Sequence, residues 1–116
     1  MPDSTPETPE VGPSEARDLM ADGAFLLDVR EPDEWAAGHA TDAVHIPMGQ
    51  LGARQDELPT DRRIVAVCRS GGRSRRVTQA LVGAGYDAVN LDGGMQAWID
   101  VGLEMVSEDG NPPRVA

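Results

Sequence analysis

Lysine is absent from this chain of 116 residues; all ten basic residues are arginine. Aromatic residues make up only 3% of it, and cysteine occurs once. A single cysteine excludes an internal disulfide and a cysteine-rich zinc site. It suits a compartment where a free thiol survives, so a soluble, cytoplasmic setting is expected. No N-terminal stretch pairs basic residues with an apolar run, so no signal peptide is expected. No apolar run approaches the length of a membrane span. Positive charge is scarce as well, and the net charge is −10. That balance argues against nucleic acid, whose affinity is dominated by phosphate neutralisation. Neither nucleic acid nor a membrane is expected as a partner, and nothing calls for a cofactor or a metal.

The few cations are gathered in one place. Six of the ten arginines fall between Arg62 and Arg76, an interval without Asp or Glu. Cys68 lies inside this basic island. Arg62, Arg63, Arg75 and Arg76 read as solvated surface charges, and Arg69 and Arg73 as the pair at a site. A small anionic substrate fits this layout better than a neutral one.

Length allows one domain with a modest core. Residues 1–10 are proline-rich and acidic, and read as a disordered tail. Ser14 can cap a helix through Leu19 and Met20 that Gly23 stops. Ala24 to Val29 is apolar except for Asp28, the pattern of a strand covered on both faces. Asp33 to Ala37 gives a short helix closed by Gly38. Ala43 to Ile46 is a short strand ended by Pro47, and Gly49 to Leu58 a poor helix. Ile64 to Val67 is a strand leading to Cys68. Helical spacing follows from Ser74 to Val82, then a strand over Ala88–Leu91 and a helix over Gly94–Val101. The domain is expected to occupy residues 11–103, with a C-terminal tail over 104–116. Strands alternating with helices predict a parallel sheet with helices on both faces, and ligands bind such sheets beyond the C-terminal strand ends.

Cys68 stands at one such end, and Arg69-Ser70-Gly71-Gly72-Arg73 follow it. A lone cysteine ending an apolar strand is usually a small buried hydrophobe. A structural cysteine, however, needs neither the glycine pair nor the flanking arginines. Gly71 and Gly72 tolerate positive φ, so the loop can turn successive N–H groups toward one point as an anion nest. The helix starting near Arg73 adds its unpaired N–H groups and the positive end of its dipole. A thiol at that nest ionises more readily, which makes Cys68 a candidate nucleophile.

Four stretches resemble the single-domain rhodanese-like (thiosulfate sulfurtransferase) family. They are Leu27-Asp28-Val29-Arg30-Glu31 with Glu34 to His39, Ala43 to Pro47, Cys68 to Arg73, and Leu91 to Trp98. Their order and spacing hold from about residue 11 to 102. Ala40-Thr41-Asp42 departs from the family pattern, which has a bulky aliphatic residue and then a glycine. The resemblance implies an α/β fold with a central five-stranded, mainly parallel sheet flanked by helices on both faces. It implies that Cys68 takes sulfane sulfur from a donor such as thiosulfate, becomes a persulfide, and hands the sulfur to a nucleophilic acceptor, cyanide or a thiol. The N–H groups of residues 69–73 would hold the charged outer sulfur, and Arg69 and Arg73 would orient the donor's oxygens. Asp28, Arg30 and Glu34 read as an ion-pair group beneath the site. His39 is expected to tie down its turn, and His45 to be exposed on a strand. Trp35 and Trp98 read as packing.

Two other readings stand beside this one. The same module could relay persulfide sulfur to a protein partner or bind one. A phosphatase or arsenate reductase would need five residues between cysteine and arginine. Here four separate Cys68 from Arg73, and Ser74 stands where that arginine would be.

Overall fold

A computed structural model describes residues 8–116. The tail expected over residues 1–10 lies outside the described residues as far as residue 7. In chain order the regular elements are β1 (Glu10–Val11), α1 (Pro13–Ala21), β2 (Phe25–Asp28), α2 (Pro32–Ala37), β3 (His39–Ala40), β4 (Val44–His45), β5 (Ile64–Val67), α3 (Gly72–Gly83), β6 (Ala88–Leu91), α4 (Gly94–Asp100) and β7 (Met105–Val106).

Five of the strands form one sheet in the order β1-β6-β5-β2-β4, and every pairing in it is parallel. Side chains alternate across each strand, so each of the central strands feeds two cores. Leu27, Ile64 and Ala66 join Val77 and Leu81 of α3 on one face. Leu26, Val65, Val67 and Val89 join Ala16 of α1 and Met95 and Trp98 of α4 on the other. Burial of a Leu or Ile of this kind contributes roughly 1.5–3 kcal/mol. Both faces are covered, which is why the strands read as continuous apolar runs.

Glu10 belongs to the sheet and not to the tail. Val11 is buried, its strand pairs with β6, and the Glu10 carboxylate meets Arg75 and Asn90. Helix α1 begins before Ser14, with Gly12 as N-cap and Pro13 in the first turn. Proline suits that position because its missing N–H would be unpaired there anyway. The stretch expected as a poor helix holds only single 3₁₀ turns, Met48–Gln50 and Gln55–Glu57, as befits a segment broken by Gly49 and Gly52. The turn at Ala40-Thr41-Asp42 closes with Ala43 N–H donating to the Ala40 carbonyl at 3.1 Å.

The C-terminal segment also packs on the domain. β7 pairs antiparallel with β3. Beyond it, Glu108 N–H donates to the Ala36 carbonyl at 2.9 Å and Arg114 N–H to that of Ala37 at 3.1 Å. These are carbonyls that the end of α2 leaves unpaired. Among the described residues no helix is long and apolar enough to cross a membrane.

The topology positions the site. From β2 the chain lays β4 on one side, then crosses back to lay β5 on the other. The carboxyl ends of β2 and β5 mark that reversal, where open α/β sheets bind ligands. Cys68 is the first residue beyond β5.

Candidate active site

Two turns built on glycine shape the loop around Cys68. Gly71 has φ 111° and caps α3, a backbone that side-chain-bearing residues resist. It brings its own N–H onto Cys68 Sγ at 3.1 Å. Gly94, with φ 58°, lets the start of α4 lie directly on the loop; a Cβ there would strike the carbonyl oxygens of Cys68 and Arg69. That contact brings Met95 N–H to the Cys68 carbonyl at 2.8 Å and Gln96 N–H to the Arg69 carbonyl at 3.0 Å. The C-terminal motif therefore buttresses the loop from behind.

Cys68 is 1% exposed. Burial opposes the thiolate, but the Ser74 hydroxyl and the N–H groups of Ser74, Gly71 and Ser70 outweigh it and hold the thiol below its ordinary range. Donors converging on a sulfur in this way favour its charged form. Gly71 is buried, whereas Arg69, Ser70 and Gly72 are exposed.

The two arginines that flank the glycine loop are held differently. Arg73 donates Nη1 to Glu34 Oε1 at 2.7 Å and Nη2 to Glu34 Oε2 at 2.8 Å. That pairing raises the Arg73 pKa further, and the nearby Cys68 charge adds to the effect. The exposed Arg69 donates Nε to the Ala116 main-chain oxygen at 3.1 Å.

Asp28, Arg30 and Glu34 fall into two direct ion pairs, with Glu34 coupled to Arg30 only through the pull of its charge. Asp28 and Arg30 are a fully buried pair with Nη2–Oδ2 at 2.8 Å, and Arg30 Nη2 also donates to the Gly38 carbonyl. Glu34 turns instead to Arg73, whose planar fork matches both of its oxygens.

His39 Nδ1 donates to the Trp35 carbonyl at 2.9 Å and so ties down its turn. His45 is not exposed as its strand position suggested. It is half-buried, donates Nε2 to the Arg30 carbonyl at 2.7 Å, and stacks on Trp35, as His39 does. Trp98 is buried in the core.

Two residues touching the sulfur's surroundings carry no role in the sequence reading. Ser74 Oγ lies 3.3 Å from Cys68 Sγ and 2.6 Å from Asn90 Oδ1. Asn90 Nδ2 donates to Glu10 Oε2 at 2.9 Å and to the Gly71 carbonyl at 3.3 Å. The signal for Asn90 was present: one amide in the apolar strand Ala88-Val89-Asn90-Leu91. A buried amide needs partners, but the sequence does not say which.

The Rhodanese-like domain profile matches residues 12–100 of the chain. A protein of Allochromatium vinosum named a sulfurtransferase is 42% identical over 87 residues, covering 74% of this chain and 81% of that one. Identity to YtwF of Bacillus subtilis is 45% over 74 residues, or 64% of this chain and 72% of YtwF. The crystal structure of a rhodanese-like domain protein from Staphylococcus aureus superposes with a TM-score of 0.76 at 32% identity, covering 86% of this chain and all of that one. With the parallel sheet and the cysteine loop at its reversal point, these matches establish that the chain belongs to the rhodanese-like domain family.

Proposed function

We propose that the protein is a sulfurtransferase that carries sulfane sulfur on Cys68 as a persulfide. The observation that carries this reading is the convergence of the Gly71 N–H and the Ser74 hydroxyl on Cys68 Sγ, at 3.1 and 3.3 Å. The thiolate attacks the outer sulfur of a donor such as thiosulfate. A sulfur–sulfur bond forms to Cys68, the donor's own sulfur–sulfur bond breaks, and sulfite leaves with the electron pair. A nucleophile, cyanide or a thiol, then attacks the outer sulfur and releases the Cys68 thiolate. No general base is needed, because the thiol is already biased toward its ionised form.

The loop N–H groups stabilise the charged outer sulfur, and Arg69 and Arg73 attract and orient the donor's oxygens. Arg73 does so from a fixed position, because Glu34 holds its guanidinium. The short loop suits a single sulfur better than a tetrahedral phosphate. A small anionic donor and a thiol or protein acceptor, in a reducing cytoplasm, fit the free thiol and its basic setting. Neither nucleic acid nor a membrane fits the acidic remainder.

Intact mass after incubation with thiosulfate tests the reading. The reduced protein should gain one sulfur atom and lose it to cyanide, and Cys68→Ser should gain none while staying folded. Sulfur transfer by the serine variant would overturn the assignment of Cys68. A wild-type protein loaded only by a persulfidated partner protein would favour a relay.

A further inference from the structure

The Ser74 hydroxyl behind Cys68 faces more acceptors than its one hydrogen can serve. Ser74 Oγ is within bonding distance of three acceptors, Asn90 Oδ1 at 2.6 Å, Cys68 Sγ at 3.3 Å and the Gly71 carbonyl at 3.4 Å, and a hydroxyl donates once. The Gly71 carbonyl already accepts from Arg75 N–H and Asn90 Nδ2, so the contest is between Asn90 and Sγ. The Asn90 amide cannot rotate to relieve this. Its Nδ2 faces the Glu10 carboxylate and the Gly71 carbonyl, and reversing it would set an oxygen against two oxygens. Asn90 Oδ1 therefore stays aimed at Ser74, and Asn90, Ser74 and Cys68 are all buried.

We propose that Asn90 is a positioning residue: its side-chain oxygen competes with Cys68 Sγ for the single Ser74 hydroxyl proton, so that the Ser74–Asn90 bond opens when Sγ carries charge and re-forms when that charge moves to an outer sulfur. The inference rests on the reading of Cys68 as the sulfur carrier. In the thiol, Cys68 S–H donates to Ser74 Oγ, and Ser74 O–H donates to Asn90. On ionisation the thiol proton passes to solvent, the Ser74 hydroxyl rotates to Sγ, and Asn90 Oδ1 is left without a donor. In the persulfide Sγ is neutral, the outer sulfur bears the charge and meets the loop N–H groups, and Ser74 returns to Asn90. A buried acceptor without a donor is costly, so Asn90 disfavours the bare thiolate and favours the loaded sulfur.

The charged groups around the sulfur each have a partner other than Asn90 or lie in solvent. Arg73 of α3 is paired with Glu34 of α2, and Glu10 of β1 with Arg75 of α3. Asp28 and Arg30 neutralise each other beside β5, and Arg69 is exposed.

The test is a thiol titration by ultraviolet absorbance on wild type, Ser74→Ala, Asn90→Ala and the double variant. Ser74→Ala should raise the midpoint. Asn90→Ala should lower it by about half to one pH unit, roughly three- to tenfold more thiolate below the midpoint. In the Ser74→Ala background the Asn90 change should do nothing. A purely structural Asn90 gives the opposite sign, because a loosened loop loses N–H donors and the midpoint rises; that outcome overturns the proposal.

Above the midpoint, at a fixed thiosulfate-to-sulfite ratio, the ratio of loaded to unloaded protein should fall in Asn90→Ala by the same factor. An unchanged ratio overturns the second half of the proposal. Should the variant fail to fold, the wild-type Asn90 side-chain carbonyl resonance decides. It should move as Cys68 ionises and return on loading, and a static resonance overturns the competition. The titration reads hydrogen bonding whether or not sulfur is carried, so failure of the persulfide reading shows separately, as absence of loading.

Discussion

Arg73 and Glu34 clamp the start of α3 to α2 through two parallel bonds of 2.7 and 2.8 Å. The Arg73 hydrogen bonds, against the opposition of burial and with help from the Glu31 N–H, pull the Glu34 carboxyl down from 4.5 to about 2. A carboxylate whose folded pKa is depressed stabilises the fold above its unfolded value and stops doing so as pH falls through the folded one. The contribution of this pair is therefore complete above about pH 4.5 and is lost on the way down to about pH 2. Urea midpoints measured across that window should fall more steeply for wild type than for Glu34→Gln. Identical slopes would mean that the clamp adds nothing to stability.

The same clamp fixes a cation that feels the Cys68 charge. Arg73→Ala should raise the thiosulfate concentration needed for half-maximal loading by about ten- to a hundredfold, the loss of one charge-assisted bond to the donor. Loading from a neutral sulfane-sulfur donor should change far less. Equal losses with charged and neutral donors would show that Arg73 shapes the loop and does not grip an anion.

Much of this framework was legible in the chain, and the limits have physical causes. β5 and β6 read to the residue because both faces are buried and their runs are continuously apolar. β1, β3 and β7 have two residues each, too few for any period to register. The glycine turn after Cys68 could be read because its pattern is local. The partner of Glu34 could not, since Arg73 lies 39 positions away and meets it only once α2 and α3 have packed. Ser74 was visible as a helix start but not as a donor to sulfur. That role needs the turn at Gly71, which folds Ser74 back toward Cys68.

Gly94 should tolerate replacement poorly. A Cβ there meets the carbonyl oxygens of Cys68 and Arg69, and the residue also sits at positive φ. Gly94→Ala should cost roughly 1–3 kcal/mol for the backbone strain alone, with more from the collision. It should also raise the Cys68 thiol midpoint, because the α4 N–H groups that hold the loop carbonyls are pushed away. Denaturant unfolding and thiol titration on one preparation would check both. Lost stability with an unmoved thiol would mean that the loop keeps its shape without that support.

The Asp28–Arg30 pair tests how far charge is tolerated inside the sheet. Both side chains are completely buried, and Arg30 satisfies Asp28 through its own N–H, Nε and Nη2. Removing one partner of such a pair leaves an uncompensated buried charge and costs about 3–5 kcal/mol. Asp28→Asn and Arg30→Met should each lose stability on that scale. Replacing both, as Asp28→Asn with Arg30→Met, should cost less than the sum, because no lone charge is left behind. Urea unfolding of the four proteins gives the coupling directly. Strict additivity would mean that the two charges do not compensate each other, and that Arg30 is held by the Gly38 carbonyl and by packing alone.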